Sequence, residues 1–278
     1  MSVTRALLVV AAALATACAP APERPAPAAD PPPPPPPPPP AVVAFRDTSL
    51  TARPCLKADV CATVSLTVPL LRVVPAAAGA DSGAVAAVLA RLQDTVWALA
   101  GVPAGRAPQA HVDRQGARLL RELRDRLRVS PDWNSGYLDE VTVRVVWASA
   151  RVLTVEVVAT GYTGGAHGQY EAVLRSYDVR TGAVIPVTAV VADTAALVPL
   201  LEAGFARAKA DSGGAPPPLA ELLYPEVKRL PLAFNRGLVP EGVRFLYNPY
   251  EVASWAVGRT DVVLTWAQLG VDPRRWGG

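Results

Sequence analysis

Val141-Thr142-Val143-Arg144-Val145-Val146-Trp147 and Val152-Leu153-Thr154-Val155-Glu156-Val157-Val158 are the two runs on which the fold turns. β-Branched residues dominate both, and such side chains suit a pleated, half-buried surface. Only Ala148-Ser149-Ala150-Arg151 separates the runs, so they predict an antiparallel hairpin. A third run, Gln169–Tyr177, ends at Asp178-Val179-Arg180-Thr181-Gly182. There Thr181-Gly182 signals a turn into Val184-Ile185-Pro186.

Upstream, Cys61 to Val74 alternates, with Ala62, Val64, Leu66 and Val68 set against Thr63, Ser65 and Thr67. Pro69 and Pro75 predict an edge position or a break. Ser82 is an N-cap for a helix whose apolar stripe is Val85, Val88, Leu89, Leu92, Val96 and Leu99. Gly101 and Pro103 close it. A second amphipathic helix over about 112–128 carries Leu119, Leu120, Leu123 and Leu127. Its arginines (Arg114, Arg118, Arg121, Arg124, Arg126, Arg128) would suit an anionic polymer. Asp113, Glu122 and Asp125 interleave with them and predict a solvated, salt-bridged face instead.

Downstream, Leu197, Leu200, Leu201 and Phe205 mark a helix over 195–210, and a short helix over 219–228 is disturbed by Pro225. Strands follow at 243–247 and 261–265, with a helical or turning piece between them. Strands, then helices, then strands, with little βαβ rhythm, predict an α+β fold. Antiparallel sheets with packed amphipathic helices are expected, in two successive subdomains, 43–168 and 169–278.

The first 42 residues read as an address and a spacer. Arg5 precedes the apolar stretch Ala6–Ala13, which is too short to span a bilayer. Leu14-Ala15-Thr16-Ala17-Cys18 resembles a bacterial lipobox, which implies removal of residues 1–17 and lipid on Cys18. An ordinary secretory signal with a chance cysteine is the alternative. Ala19 in place of aspartate resembles a signal for the outer membrane in a cell with two membranes, at its periplasmic face or on the cell surface. Residues 18–42 form the anchor and a stalk; fourteen of the 30 prolines lie in it. Polyproline II over Pro31–Pro40 spans roughly 30 Å. A spacer fits that position better than a ligand for a proline-reading domain.

Composition limits the chemistry. With 51% hydrophobic residues the chain can fill a core, and 27 basic against 24 acidic residues do not suggest a nucleic-acid partner. Besides Cys18 there are two cysteines, Cys55 and Cys61. In an oxidising compartment they form a disulfide most simply; free thiols are the alternative. Zinc, Walker and G-x-S-x-G patterns are missing, so no metal or cofactor is expected.

Three passages stand out: Gly161-Tyr162-Thr163-Gly164-Gly165-Ala166-His167-Gly168, Tyr177-Asp178-Val179-Arg180-Thr181-Gly182, and Val243-Arg244-Phe245-Leu246-Tyr247-Asn248-Pro249-Tyr250-Glu251-Val252-Ala253. Together they resemble the extracytoplasmic region of the RsiV-like family of lysozyme-sensing anti-sigma factors. They also resemble the accessory region of the polysaccharide deacetylase PdaC, over about residues 60–270. The resemblance implies an envelope location and a non-catalytic binding role, toward peptidoglycan-related glycan or a wall-lytic protein such as lysozyme. A sigma-binding segment and a deacetylase domain are not recognised in the sequence, so neither activity is carried over.

Tyr162, His167, Tyr250 and Glu251 are the candidate ligand-binding residues. His167 is also the one candidate catalytic group, as a general base in an enzyme acting on envelope polysaccharide. Blander roles stand beside these: His167 bonding the turn, and Tyr250 packed beneath it. Asn248-Pro249-Tyr250-Glu251 predicts a turn opening a short helix, with Glu251 at its N-terminus. Trp255 and Trp266 are expected in the core or covering a sheet. A structural envelope protein without a soluble ligand is the remaining reading.

Overall fold

The computed structural model describes residues 43–73, 82–210 and 214–277. Residues 1–17, expected to be a signal segment, Cys18 and the proline-rich stretch lie outside the described residues. β1 (Val43–Ala52) pairs antiparallel with β3 (Val60–Val73), and the short β2 (Cys55–Lys57) folds onto the start of β3. Cys55 and Cys61 face each other in that register and are disulfide-bonded. α1 (Ser82–Leu99) and α2 (Pro108–Val129) follow. Then come β4 (Tyr137–Ala148), β5 (Val152–Tyr162) and β6 (Gln169–Asp178), which pair antiparallel in succession. The six-stranded sheet has the order β1-β3-β4-β5-β6, with β2 beside β3.

The expected hairpin is β4–β5. One pairing departs from the antiparallel expectation: β3 and β4 run parallel. α1 and α2 form the crossover between them, and such a connection returns the chain in the same direction. β1 was not expected as a strand. It is an edge strand with half of its residues exposed, and its sequence shows no apolar alternation.

Pro69 does not break β3. Pairing with β4 ends at Thr67, so beyond it that side of β3 is open. There the Gln93 side chain of α1 completes the edge. Its Oε1 accepts from the Leu71 N–H at 2.7 Å and its Nε2 donates to the Pro69 carbonyl at 3.1 Å. The proline nitrogen lies on the open side, so its missing N–H costs no bond in the ladder.

Val88, Leu89, Leu92 and Val96 of α1 and Val112, Leu119 and Leu123 of α2 pack on Val64, Leu66, Val68, Val143, Val155 and Val157 of the sheet. Burying each such side chain is worth about 2 kcal/mol. The salt-bridged reading of α2 holds at Arg118–Glu122 and Asp125–Arg128.

A second, antiparallel sheet consists of β7 (Asn235–Val239), β8 (Gly242–Tyr247) and β9 (Thr260–Thr265). α3 (Val198–Ala208) packs on β9, with α4 (Leu219–Leu222) and α5 (Trp266–Leu269) at the periphery. The helix expected over 219–228 stops at Leu222, because Leu223 bridges to Ala253 and Pro225 follows. β7 was missed; it is short and contains Gly237, where an added Cβ would meet Leu174, Ser176 and Thr154 at 3.0 Å. The glycine lets β7 cross close over the first sheet. The Thr154 hydroxyl donates to the Leu238 carbonyl, and the Leu238 N–H donates to Ser176 Oγ.

β6 pairs with β5 along its whole length, so the first sheet runs through residue 168 and ends at Asp178. Its core and that of the second sheet are distinct clusters, but Val152 of β5 belongs to the second. Among the described residues no helix is long and apolar enough to cross a membrane, which says nothing of a β-barrel.

Candidate functional site

The loop between β5 and β6 holds Gly164 and Gly165 at φ of 98° and 105°. Only glycine adopts that backbone without strain. A Cβ on Gly164 would also stand 3.0 Å from the Trp133 ring, on which the loop rests. The Tyr162 hydroxyl donates to the Gly165 carbonyl at 3.4 Å. His167 then emerges exposed at the end of the loop.

His167 Nδ1 lies 2.8 Å from the Gly168 carbonyl. A carbonyl oxygen only accepts, so Nδ1 carries the proton. In the tautomer with the hydrogen on Nδ1, Nε2 accepts, and the Tyr250 hydroxyl at 3.3 Å donates to it. The imidazole stacks on Trp255, with centroids 4.3 Å apart and planes 14° apart. Tyr250 completes the cluster, 5.8 Å from Trp255 and 6.3 Å from His167.

The partner turn is anchored by Asn248. Its side-chain amide pairs with the open edge of β6: Oδ1 accepts from the Ala172 N–H and Nδ2 donates to the Ala172 carbonyl. Glu251 Oε2 accepts the Asn248 N–H, and the Tyr250 N–H donates to the Ala253 carbonyl. No helix opens at this turn; a single 3-10 turn, Trp255–Val257, comes later. The reason is Tyr250, which at φ 67° is the one non-glycine residue with positive φ among the described residues. That backbone cannot continue into a right-handed helix. It presents the ring to solvent, 56% exposed.

The structure therefore brings Tyr162, His167 and Tyr250 to one corner of the molecule. Glu251 is there too, with one carboxylate oxygen engaged in holding the turn. Trp255, expected in the core or covering a sheet, is half-buried and stands at the centre of the cluster. Trp266 is buried, its Nε1–H donating to the Pro240 carbonyl. Nothing in the sequence around Trp255 distinguishes it from Trp266, because exposure depends on which turn meets which loop.

Behind the cluster lies a network of charges. Glu156 of β5 is fully buried and pairs with Arg144, Arg244 and Arg259. Burial alone would raise its pKa; Arg244, Arg144 and Arg259 together outweigh that and hold the carboxyl below its usual range. Arg259 also pairs with Asp261 and donates to the Tyr170 hydroxyl. The hydrogen bonds of His167 go to a backbone carbonyl and a tyrosine. The arrangement offers stacked aromatic faces with polar rims, which suits binding.

Two solved structures share this fold. A member of the DUF3298 family from Bacteroides fragilis superposes with a TM-score of 0.55 at 18% identity, covering 82% of this chain and 92% of that one. A DUF3298 family protein from Pseudomonas aeruginosa gives 0.50 at 15% identity, covering 86% and 98%. The likeness is one of fold. No family model matches the sequence, and no curated protein does.

Proposed function

We propose that this chain is a lipid-anchored protein of the bacterial cell envelope whose folded part is a non-catalytic binding module. Its ligand is peptidoglycan-related glycan or a wall-lytic protein such as lysozyme. The observation that carries this reading is the solvent-facing cluster of His167, Trp255 and Tyr250. Sugar rings present a face of C–H groups that lies flat on an aromatic ring, while their hydroxyls reach polar groups at its rim. An aromatic side chain on a protein partner would use the same surface. The sequence resemblance to the RsiV-like family and the PdaC accessory region supports the choice of ligands. The lipobox-like segment at Cys18 and the proline-rich stretch after it support the anchor.

The test is retention of purified peptidoglycan and of lysozyme by the immobilised chain. One of them is expected to bind, and Tyr250→Ala and Trp255→Ala should each weaken it about tenfold, the size of one lost aromatic contact. Absence of binding to either at about 100 μM, a level at which even weak recognition is detected, would remove the proposal.

A further inference from the structure

On the helix-covered side of the first sheet, Asp139 of β4 alternates with the buried residues Tyr137 and Val143. Its position thus faces the core side, yet among the described residues its carboxylate enters no ion pair. Two cavities explain why it is tolerated there. One, of about 170 Å³, lies between α2 and the sheet and is lined by His111, Gln115 and Asp139 over apolar walls from Val64, Leu66 and Val112. The other, of about 190 Å³, is lined by Asp139, Ala159, Gly161, Gln169 and Glu171. Asp139 borders both.

The strand register accounts for the second cavity. Asp139 pairs with Gly161, which pairs with Gln169; Val141 pairs with Ala159, which pairs with Glu171. On β5 the two positions between these side chains are glycine and alanine, so the sheet floor is bare. Gly161 is not required by its backbone or by crowding. Its φ is not positive, and the nearest atom to an added Cβ is the Leu138 carbonyl oxygen at 3.4 Å. Its missing side chain opens space that the fold could have filled. In the first cavity, burial foremost and then Arg114 hold the His111 imidazole below its ordinary pKa, with Asp139 opposing them. His111 is therefore neutral near pH 7 and able to accept or donate a hydrogen bond.

We propose that these two cavities, which share Asp139, form a second binding site for a small ligand bearing a primary ammonium group. The Asp139 carboxylate receives the ammonium, His111 and Gln115 border one end, and Gln169 and Glu171 border the other. A half-buried carboxylate without a cationic partner is the feature such a ligand would complete, by a charge-assisted hydrogen bond. The site does not depend on the aromatic cluster, and the proposal stands apart from the glycan or lysozyme reading.

Calorimetric titration of the chain with 1,4-diaminobutane, and with 1,4-butanediol as the uncharged counterpart, tests it. The diamine is expected to bind and the diol not. Asp139→Asn should weaken the diamine at least about tenfold, the worth of one charge-assisted contact. Gly161→Val, which suits a strand, should fill the floor and abolish binding with the melting temperature unchanged. Tyr250→Ala should leave it intact. Equal binding of diol and diamine, unchanged affinity in Asp139→Asn, or no binding by the unaltered chain at about 10 mM, where a single weak contact still registers, overturns the proposal.

Discussion

Tyr250 pays for its exposure with a backbone conformation that side chains other than glycine avoid. Strain of this kind costs roughly 1–3 kcal/mol and collects at sites of function. Tyr250→Gly should therefore stabilise the chain by about 0.5–1 kcal/mol in denaturant unfolding, because glycine accepts the left-handed region freely. The same change should weaken ligand retention about tenfold, as Tyr250→Ala does, because the ring is lost in both. A loss of both stability and retention would mean that the ring braces the turn. His167 and Tyr250 were legible in the sequence because each sits in a short passage of unusual glycine or proline content. Trp255 was not, since its role arises only where the turn after β8 meets the loop after β5. The burial of Glu156 was not legible either. It lies among the apolar residues of β5, and it is fully buried against Arg244 of β8 and Arg259.

Two strand edges are finished by side-chain amides, Gln93 on β3 and Asn248 on β6. An amide carries one donor and one acceptor side by side, as a peptide group does, so it can stand in for one residue of a missing strand. Gln93→Ala and Asn248→Ala should each cost about 1–3 kcal/mol in denaturant unfolding, the penalty for orphaned backbone groups. Only Asn248→Ala should also reduce ligand retention, because only that amide holds the turn that presents Tyr250. The hairpin β4–β5 and the helices α1 to α3 were legible because local periodicity specifies them. The parallel β3–β4 pairing and the strands β1 and β7 were not. They are decided by contacts with residues far away in sequence, and β1 and β7 carry little pattern of their own.

The two sheets are joined through a buried ion network, with Glu156 of β5 against Arg244 of β8 and Arg259 beside β9. The folded state holds the Glu156 pKa below its unfolded value. Stability from this group is therefore complete above the ordinary carboxylate range and is lost as pH falls through the folded pKa. Unfolding free energy measured against pH should be level near neutrality and decline as pH falls through about 4.5, where unfolded glutamate is half-protonated. Glu156→Gln should lower stability at pH 7 by roughly 3–5 kcal/mol, since it strands the arginines, and should flatten the acid limb. An unchanged acid limb in that variant would assign the pH dependence to other carboxylates.

β1 places the start of the described chain and the aromatic corner at opposite ends of the sheet. Val43 pairs with Val73, whereas Ala52 leads by register through Val64 and Asp139 to Gly161, beside the loop that carries His167. The ten residues of β1 separate the two levels, roughly 30 Å at the rise of a strand. Tension between Val43 and a ligand held at that corner would act along the strands. The rungs joining β1 to β3 would then share the load together instead of opening one after another, so the sheet is oriented to withstand a tug.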